Sequence, residues 1–392
     1  MLSWEYPPLV VGGLGRHVDA LARELAAAGH DVRVVTRGES PDVVDERRDG
    51  VRVRRAAVDP LAIVFTSESL LAWTQAAEHA LVRAALPVLR RWKPDVVHAH
   101  DWLVAQSAIT LSGLTGAPLV ATIHATEAGR HQGWLPKPLN TAIHSVERWL
   151  TQSADAVITC SSAMHDEVVR LFDVDPKHVT VVPNGIDAER WRASKSARAA
   201  ARERFAGEGP LLVFAGRLVH EKGVQHLLDA MPTLRIAYPG VRLLVAGTGI
   251  HEAALQAHAK RRRVTRLVGW AGFVPEDELA AIIGAADAVI VPSTYEPFGI
   301  VALEAAAARV PVVVSRTGGL ADLVDKGMAA ASFEPGDVKG LVGAVLSVFD
   351  NPEATAKAIA RGARVIKRDY TWHAVAVHTA DVYARVSASS SR

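Results

Sequence analysis

Two doubly wound Rossmann-like α/β domains facing a cleft are what this sequence predicts, and three observations predict them. Short β-branched runs alternate with Ala- and Leu-rich amphipathic segments along nearly the whole chain. The runs are almost continuously apolar, which suits parallel strands covered on both faces and joined by right-handed helical crossovers. One segment, IDAERWRASKSARAAARERFAGEG (Ile186–Gly209), shows no strand pattern and divides the chain near its middle.

In chain order, MLSWEYPP leaves only about three residues for a first strand. Either that strand is short or the true start lies upstream. VGGLGRHV (Val11–Val18) then runs into the helical pattern HVDALARELAAAG. Strands are expected at DVRVVTR (Asp31–Arg37), DVVHAH (Asp95–His100), PLVATIHA (Pro118–Ala125), AVITC (Ala156–Cys160) and VTVVPNG (Val179–Gly185). After the break come LLVFAGR (Leu211–Arg217), VRLLVAG (Val241–Gly247), AVIVPS (Ala288–Ser293) and VPVVVS (Val310–Ser315). The expected domains are 1–190 and 191–370, with 371–392 a helix that packs back on the first domain and ends in a disordered tail.

Composition excludes several classes. The 44 basic and 42 acidic side chains nearly cancel, so nothing suggests a nucleic-acid partner. A single cysteine, Cys160, permits no internal disulfide and reads as a small buried hydrophobe. No basic leader precedes an apolar run, and the longest apolar region, Leu279–Ser315, is broken by charges and prolines. A cytoplasmic protein is expected. HALVRAALPVLRRWK has a basic amphipathic look, but core packing explains its apolar side, and membrane contact is not expected. KRRRVTR (Lys260–Arg266) reads as a solvated helix end.

The residues that could carry chemistry fall just after strands, where open α/β sheets bind ligands. Gly12, Gly13 and Gly15 allow a tight turn into a helix N-terminus, which suits a diphosphate. Val18 breaks the dinucleotide fingerprint. Arg217 and Lys222 in AGRLVHEKG form a pyrophosphate clamp or, more blandly, two solvated cations. His124 closes a strand and could hydrogen-bond a hydroxyl. His98 and His100 resemble half a metal site, but no third well-spaced ligand is evident and no metal is expected.

In YEPFGIVALE, Pro297 and Gly299 precede a helix, so Glu296 stands at its mouth and Glu304 about one and a half turns inside. The amides of Phe298, Gly299, Ile300 and Val301 lie between them as an anion site. That arrangement suits an elongated ligand: sugar, diphosphate, ribose. A glycosidase pair would need both carboxyls on one bond.

Together these motifs resemble the retaining GT-B glycosyltransferases of glycosyltransferase family four, whose E-x7-E motif is Glu296 to Glu304 here. The likeness covers nearly the whole chain through the glycine loop, HAHDW (His98–Trp102), TIHATE (Thr122–Glu127), PNGID (Pro183–Asp187), GRLVHEKG and SRTGGLADLV (Ser315–Val324). HATEAGR, YEPFG and RTGGLADLV narrow it to actinobacterial glycogen-synthase-like α-1,4-glucosyltransferases.

The resemblance implies that Arg217 and Lys222 bind the donor diphosphate. His124 would contact the transferred sugar, Glu296 its 3- and 4-hydroxyls, and Glu304 the ribose. Gly12, Gly13, Gly15, Phe298, Gly299, Ile300 and Val301 complete the donor site, and Asp101, Trp102, Glu127 and Arg130 lie on the acceptor side. It implies no tightly bound cofactor and no required metal, with UDP- or ADP-glucose as co-substrate and a glucan or oligosaccharide as acceptor. Oligomeric state is left open. The short start is the one departure, and it bears on the glycine loop. Three other readings stay open: a GDP-mannose-dependent mannosyltransferase on a lipid or glycan, a nucleotide-sugar 2-epimerase, and a non-catalytic glycan binder.

Overall fold

The computed structural model describes residues 1–9, 12–66 and 68–390, so Val11 at the head of VGGLGRHV lies outside the described residues. The chain forms two compact units. One is Met1–Gly185 with Trp372–Arg392; the other is Ile186–Thr371.

The first unit holds an eight-stranded sheet. Its strands are β1 (Leu2–Ser3), β2 (Arg33–Arg37), β3 (Val44–Arg48), β4 (Val51–Ala56), β5 (Val97–His100), β6 (Leu119–Ile123), β7 (Ala156–Thr159) and β8 (Val179–Val181). The order is β3-β4-β2-β1-β5-β6-β7-β8. Only β3 runs antiparallel, pairing Arg48 with Val51 across a turn whose Asp49 and Gly50 both have positive φ. Neither β3 nor β4 is among the expected strands; VDERR of β3 is charged on both faces and mostly exposed, while VRVRRA of β4 alternates apolar and charged residues instead of running apolar. The Asp-Gly pair between them is nonetheless a hairpin signal.

The strand order reverses between β1 and β5, the position where doubly wound sheets bind ligands. β1 spans two residues beside the five of β2 and four of β5. A cavity of about 390 Å³ in this unit is lined by Met1, Val34, Val53, Leu89, Trp92 and Val97 among others. The C-terminal helix Trp372–Ser390 packs on the helix Gly13–Ala27, with Val375, Ala376 and Val382 in the same apolar cluster as Val18, Leu21 and Leu25.

The second unit holds β9 (Leu211–Ala215), β10 (Arg242–Ala246), β11 (Val268–Gly272), β12 (Ala288–Val291), β13 (Val312–Ser315) and β14 (Ala331–Phe333). All adjacent pairs are parallel in the order β11-β10-β9-β12-β13-β14. The edge strands β11 and β14 escape a search for apolar runs: VGWAG carries glycines, and ASF is three residues long. Here the order reverses between β9 and β12, the strands that carry the Arg217 and Glu296 loops.

Among the described residues no helix is long and apolar enough to cross a membrane. Of the stretch HALVRAALPVLRRWK, the part inside the helix Leu70–Leu89 turns Leu81, Ala84 and Ala85 into the core, and Arg90, Arg91 and Lys93 follow the helix end.

Candidate active site

In the second unit, two loops at the β9/β12 reversal are locked together by backbone. After β9 the chain bends at Gly216 and exposes Arg217 beside buried Leu218. It then makes a single turn, His220–Lys222, that ends at Gly223 with φ +72°. A Cβ on Gly223 would fall 1.8 Å from the Pro292 carbonyl oxygen, so only glycine lets this loop lie against the end of β12. The Glu221 carbonyl accepts the Thr294 amide at 2.8 Å, tying the loops a second time.

Lys222 and Glu296 therefore meet. Lys222 Nζ donates to Glu296 Oε2 at 2.7 Å, and Ser293 Oγ donates to the same oxygen at 3.1 Å. The two charged side chains are only 19% and 11% exposed, which strengthens their attraction over that of a surface pair. Behind Glu296, its carbonyl accepts the Gly319 amide at 2.9 Å. A Cβ on Gly318, whose φ is +50°, would sit 1.9 Å from the Glu296 carbonyl oxygen. Gly318→Ala is expected to push the glutamate loop away and cut kcat/KM by at least about a hundredfold, with a smaller fall in Tm. Steady-state kinetics beside a thermal melt checks it.

The helix Ile300–Ala307 starts from Gly299, held at φ +99°. Its first internal donor is Ala302, bonded to the Gly299 carbonyl at 3.0 Å, so the Gly299, Ile300 and Val301 amides precede the helix's own ladder. Phe298 is buried near Tyr370, which leaves its backbone as the part a ligand can use. Glu304 is buried inside the helix.

In the first unit the helix already begins at Gly13, with Gly12 as N-cap, so the glycine loop is shorter than expected. The Gly12 amide donates to Glu5 Oε2 at 2.9 Å. Four residues after Gly13, His17 stands above the first turn, and its Nδ1 meets Asn184 Oδ1 at 2.8 Å. The ring of His124 lies 4.7 Å from that of His17, and His124 Nε2 is 3.4 Å from His100 Nδ1. One nitrogen from each of His17, His100 and His124 lies within 4.8 Å of the others, so these three could hold a metal ion.

His98 is different: Tyr383 Oη and Thr122 Oγ1 take both of its nitrogens, at 2.6 and 2.7 Å. Burial keeps the whole cluster neutral, depressing His17 to about 3 and His124 to about 4, the latter helped by Arg130. His98 and His100 are likewise held well below the ordinary imidazole range. Sequence reasoning missed His17 and Asn184; the signal for His17 was its i+4 spacing from the first helical glycine.

Asp101 sits next to this cluster with φ +68°, and its Oδ1 accepts the His124 amide at 3.2 Å. Burial lifts its carboxyl to about 6 against the pull of Arg130. Trp102 is buried. Glu127 belongs to an interior network: its amide donates to Glu147 Oε1 at 2.8 Å, and its Oε1 accepts from Asn140 Nδ2 at 2.5 Å. Burial raises Glu147 to about 9, with the nearby Asp101 charge adding to the shift. His124 and Asp101 are thus brought together, while Glu127 faces inward as bracing for the loop that follows His124.

Comparison with known proteins agrees with this architecture. The description "Glycosyltransferase Family 4" matches residues 11–190, and "Glycosyl transferases group 1" matches residues 196–365. Glycogen synthase of Mycobacterium tuberculosis is 48% identical over 98% of this chain and 93% of its own length. Alpha-maltose-1-phosphate synthase of Mycolicibacterium smegmatis is 32% identical over 99% of each chain. Among solved structures, sucrose-phosphate synthase from Thermosynechococcus elongatus superposes with a TM-score of 0.82 over 99% of this chain and 98% of that one, at 23% identity, and shares the fold. The chain is a hexosyltransferase homologous to glycogen synthase, and it belongs to glycosyltransferase family 4 with the two-domain GT-B fold.

Proposed function

We propose that the protein transfers glucose from UDP- or ADP-glucose to an α-1,4-glucan or oligosaccharide with retention of the α configuration, acting in the cytoplasm. The observation that carries this reading is the Lys222–Glu296 pair at the reversal of the second sheet. It sets a cation and a carboxylate side by side, next to a helix N-terminus with uncommitted amides. A nucleotide sugar needs all three. The identity to glycogen synthase supports glucose as the sugar and a glucan as the acceptor.

In this reading the second unit takes the donor and the first the acceptor. Arg217 and Lys222 face the diphosphate with the Gly299, Ile300 and Val301 amides, and Gly12, Gly13 and Gly15 count as donor-binding residues in the same reading. Glu296 turns to the sugar's hydroxyls and Glu304 to the ribose. The bond from the anomeric carbon to phosphate breaks as the acceptor oxygen attacks from the same face, and the acceptor's proton passes to the leaving phosphate. No side chain serves as a nucleophile. The protein positions the partners and neutralises charge growing on the diphosphate. His124, held neutral, can bond a sugar hydroxyl without adding a competing charge. No metal is required for these steps.

The test is a thermal-shift panel with UDP-glucose, ADP-glucose and GDP-mannose. A ligand at a hundred times its Kd stabilises by about 2.7 kcal/mol, which reads as several degrees. Stabilisation by either glucose donor is expected. A response to GDP-mannose alone would overturn the glucosyl assignment.

A further inference from the structure

We infer that His17, His100 and His124 form a tetrahedral site for a divalent metal ion of the zinc class, and that filling it switches transfer off. The switch rests on the proposed role of His124 at the transferred sugar; the site itself stands without it. Among the described residues these three are the one group placed to share an ion, with one nitrogen of each within 4.8 Å of the others. They come from three elements of the first unit. His17 belongs to the helix Gly13–Ala27, His100 ends β5, and His124 follows β6.

His100 is the residue whose surroundings call for an ion. Its ring is fully buried, and among the described residues its Nε2 meets no hydrogen-bond partner. Its Nδ1 faces His124 Nε2 at 3.4 Å, long for an N–H donor, which usually approaches to about 2.7–3.2 Å. A buried ring so poorly paired costs stability. The spacing matches two nitrogens on one tetrahedral zinc instead, which stand about 3.3 Å apart when each Zn–N bond is about 2.0–2.1 Å.

His17 is already oriented as a ligand. Its Nδ1 donates to Asn184 Oδ1 at 2.8 Å, the outer hydrogen bond that metal-bound histidines usually make, and this leaves the lone pair on Nε2. A small side-chain rotation closes the triangle. His98 takes no part, because Tyr383 and Thr122 occupy both its nitrogens. Burial keeps the three rings neutral, the form that ligates, so an ion has no proton to displace from a charged imidazole. His124 alone of the three is partly exposed, so an ion enters on its side and keeps an open fourth position there. Three imidazoles suit zinc and not magnesium, which takes oxygen ligands. An ion so held takes the Nε2 lone pair of His124 and sets two positive charges beside the proposed place of the sugar. That nitrogen can then accept no bond from a sugar hydroxyl.

The test begins with metal-stripped wild type titrated with cobalt(II), whose tetrahedral complexes absorb intensely in the visible where octahedral ones are faint. A single equivalent is expected to give the intense bands, and an equal amount of zinc to erase them. Faint bands, or none, overturn the site whatever the transfer assay shows, and this step needs no variant to fold. Transfer from the glucose donor that stabilises the protein is then followed against buffered free zinc, each protein referred to its own metal-free rate. Wild-type turnover is expected to fall at least about tenfold at saturating zinc and to recover with EDTA, magnesium having no effect. Asn184→Ala, which frees His17 to rotate, should need about 10–100 times more zinc for half inhibition, and His17→Gln at least as much. The same half-inhibiting zinc in wild type and His17→Gln places the inhibition elsewhere and overturns the proposal. Wild type that binds cobalt tetrahedrally yet transfers at full rate with zinc bound overturns the switch. Transfer from GDP-mannose alone overturns the glucosyl reading and not the site, since the cobalt spectrum and the zinc titration are read in the same way with that donor.

Discussion

Glu296→Ala is expected to lose two to three orders of magnitude in kcat while remaining folded. The carboxylate shares Lys222 with no other acidic side chain among the hydrogen bonds described, and Ser293 fixes its second contact. Removing it takes away the group proposed to hold the transferred sugar's hydroxyls and frees Lys222 to wander from the diphosphate. Stability should suffer far less. Lys222 is 19% exposed and can turn its ammonium to water, so the cost is about 1–2 kcal/mol rather than that of a charge stranded in the interior. Circular dichroism and a melt a few degrees below wild type, beside near-zero transfer, would bear this out. Transfer at the wild-type rate would remove Glu296 from the donor site. Glu296→Gln sharpens the result: it keeps a hydrogen-bonding group at the sugar but not the negative charge, so recovery above the alanine variant measures the hydroxyl contacts alone.

The second large effect is on pH and concerns Glu147. Its carboxyl is 2% exposed on the side chain and raised to about 9, so at neutral pH the folded protein holds a proton that the unfolded chain releases near 4.5. The sign follows: a group with a raised folded pKa stabilises most when protonated in both states, and stability is lost as pH climbs from about 4.5 toward 9. Each unit costs about 1.4 kcal/mol. Glu78, raised to about 7, and Asp101, raised to about 6, act in the same direction over narrower windows.

The buried histidines oppose them. Their folded pKa values lie below the ordinary 6.5, so stability is complete above 6.5 and falls as the unfolded chain gains protons that the folded cluster refuses. Between about 4.5 and 6.5 the four imidazoles outweigh the three carboxyls by about one proton, so stability already eases as pH falls. Below about 4.5 the carboxyls no longer offset the imidazoles, and stability should drop steeply. Tm against pH is thus expected to peak near 6.5, with a gentle alkaline slope and a steepening acid edge. Glu147→Gln imitates the protonated acid and keeps an acceptor for the Glu127 amide. It should melt with wild type at pH 5 and several degrees above it at pH 8.5. Coincident melts at both values would mean that Glu147 is ionised in the fold.

Much of this was legible in the residues, and the gaps have physical causes. Interior parallel strands such as PLVATIHA and LLVFAGR announce themselves because both faces are buried. The charged hairpin strand VDERR does not, since one edge strand exposed to water can be built from almost any side chains. The neighbours of Glu296 were visible as a motif, but its pairing with Lys222 was not. That contact depends on Gly223 lying against Pro292, a fact of tertiary packing 69 positions apart. His98 and His100 read as a pair on one strand face, and their rings do meet, tilted, with centroids 4.1 Å apart. Their neighbours His17 and His124 come from a different helix and strand, and only the topology unites them.

Glu296 on Lys222 and Glu5 on the Gly12 amide have something in common. In each unit a carboxylate of the protein rests on a donor group suited to phosphate. In the donor-site reading proposed above, an arriving anion would have to compete with these carboxylates. A lone phosphate would offer charge but nothing for a displaced Glu296 to hold, so on that reading it should bind poorly. A nucleotide sugar would supply charge for the lysine and hydroxyls for the glutamate in the same event. On the same reading, discrimination against simple phosphates would rest on this pairing, before any contact with the base is made.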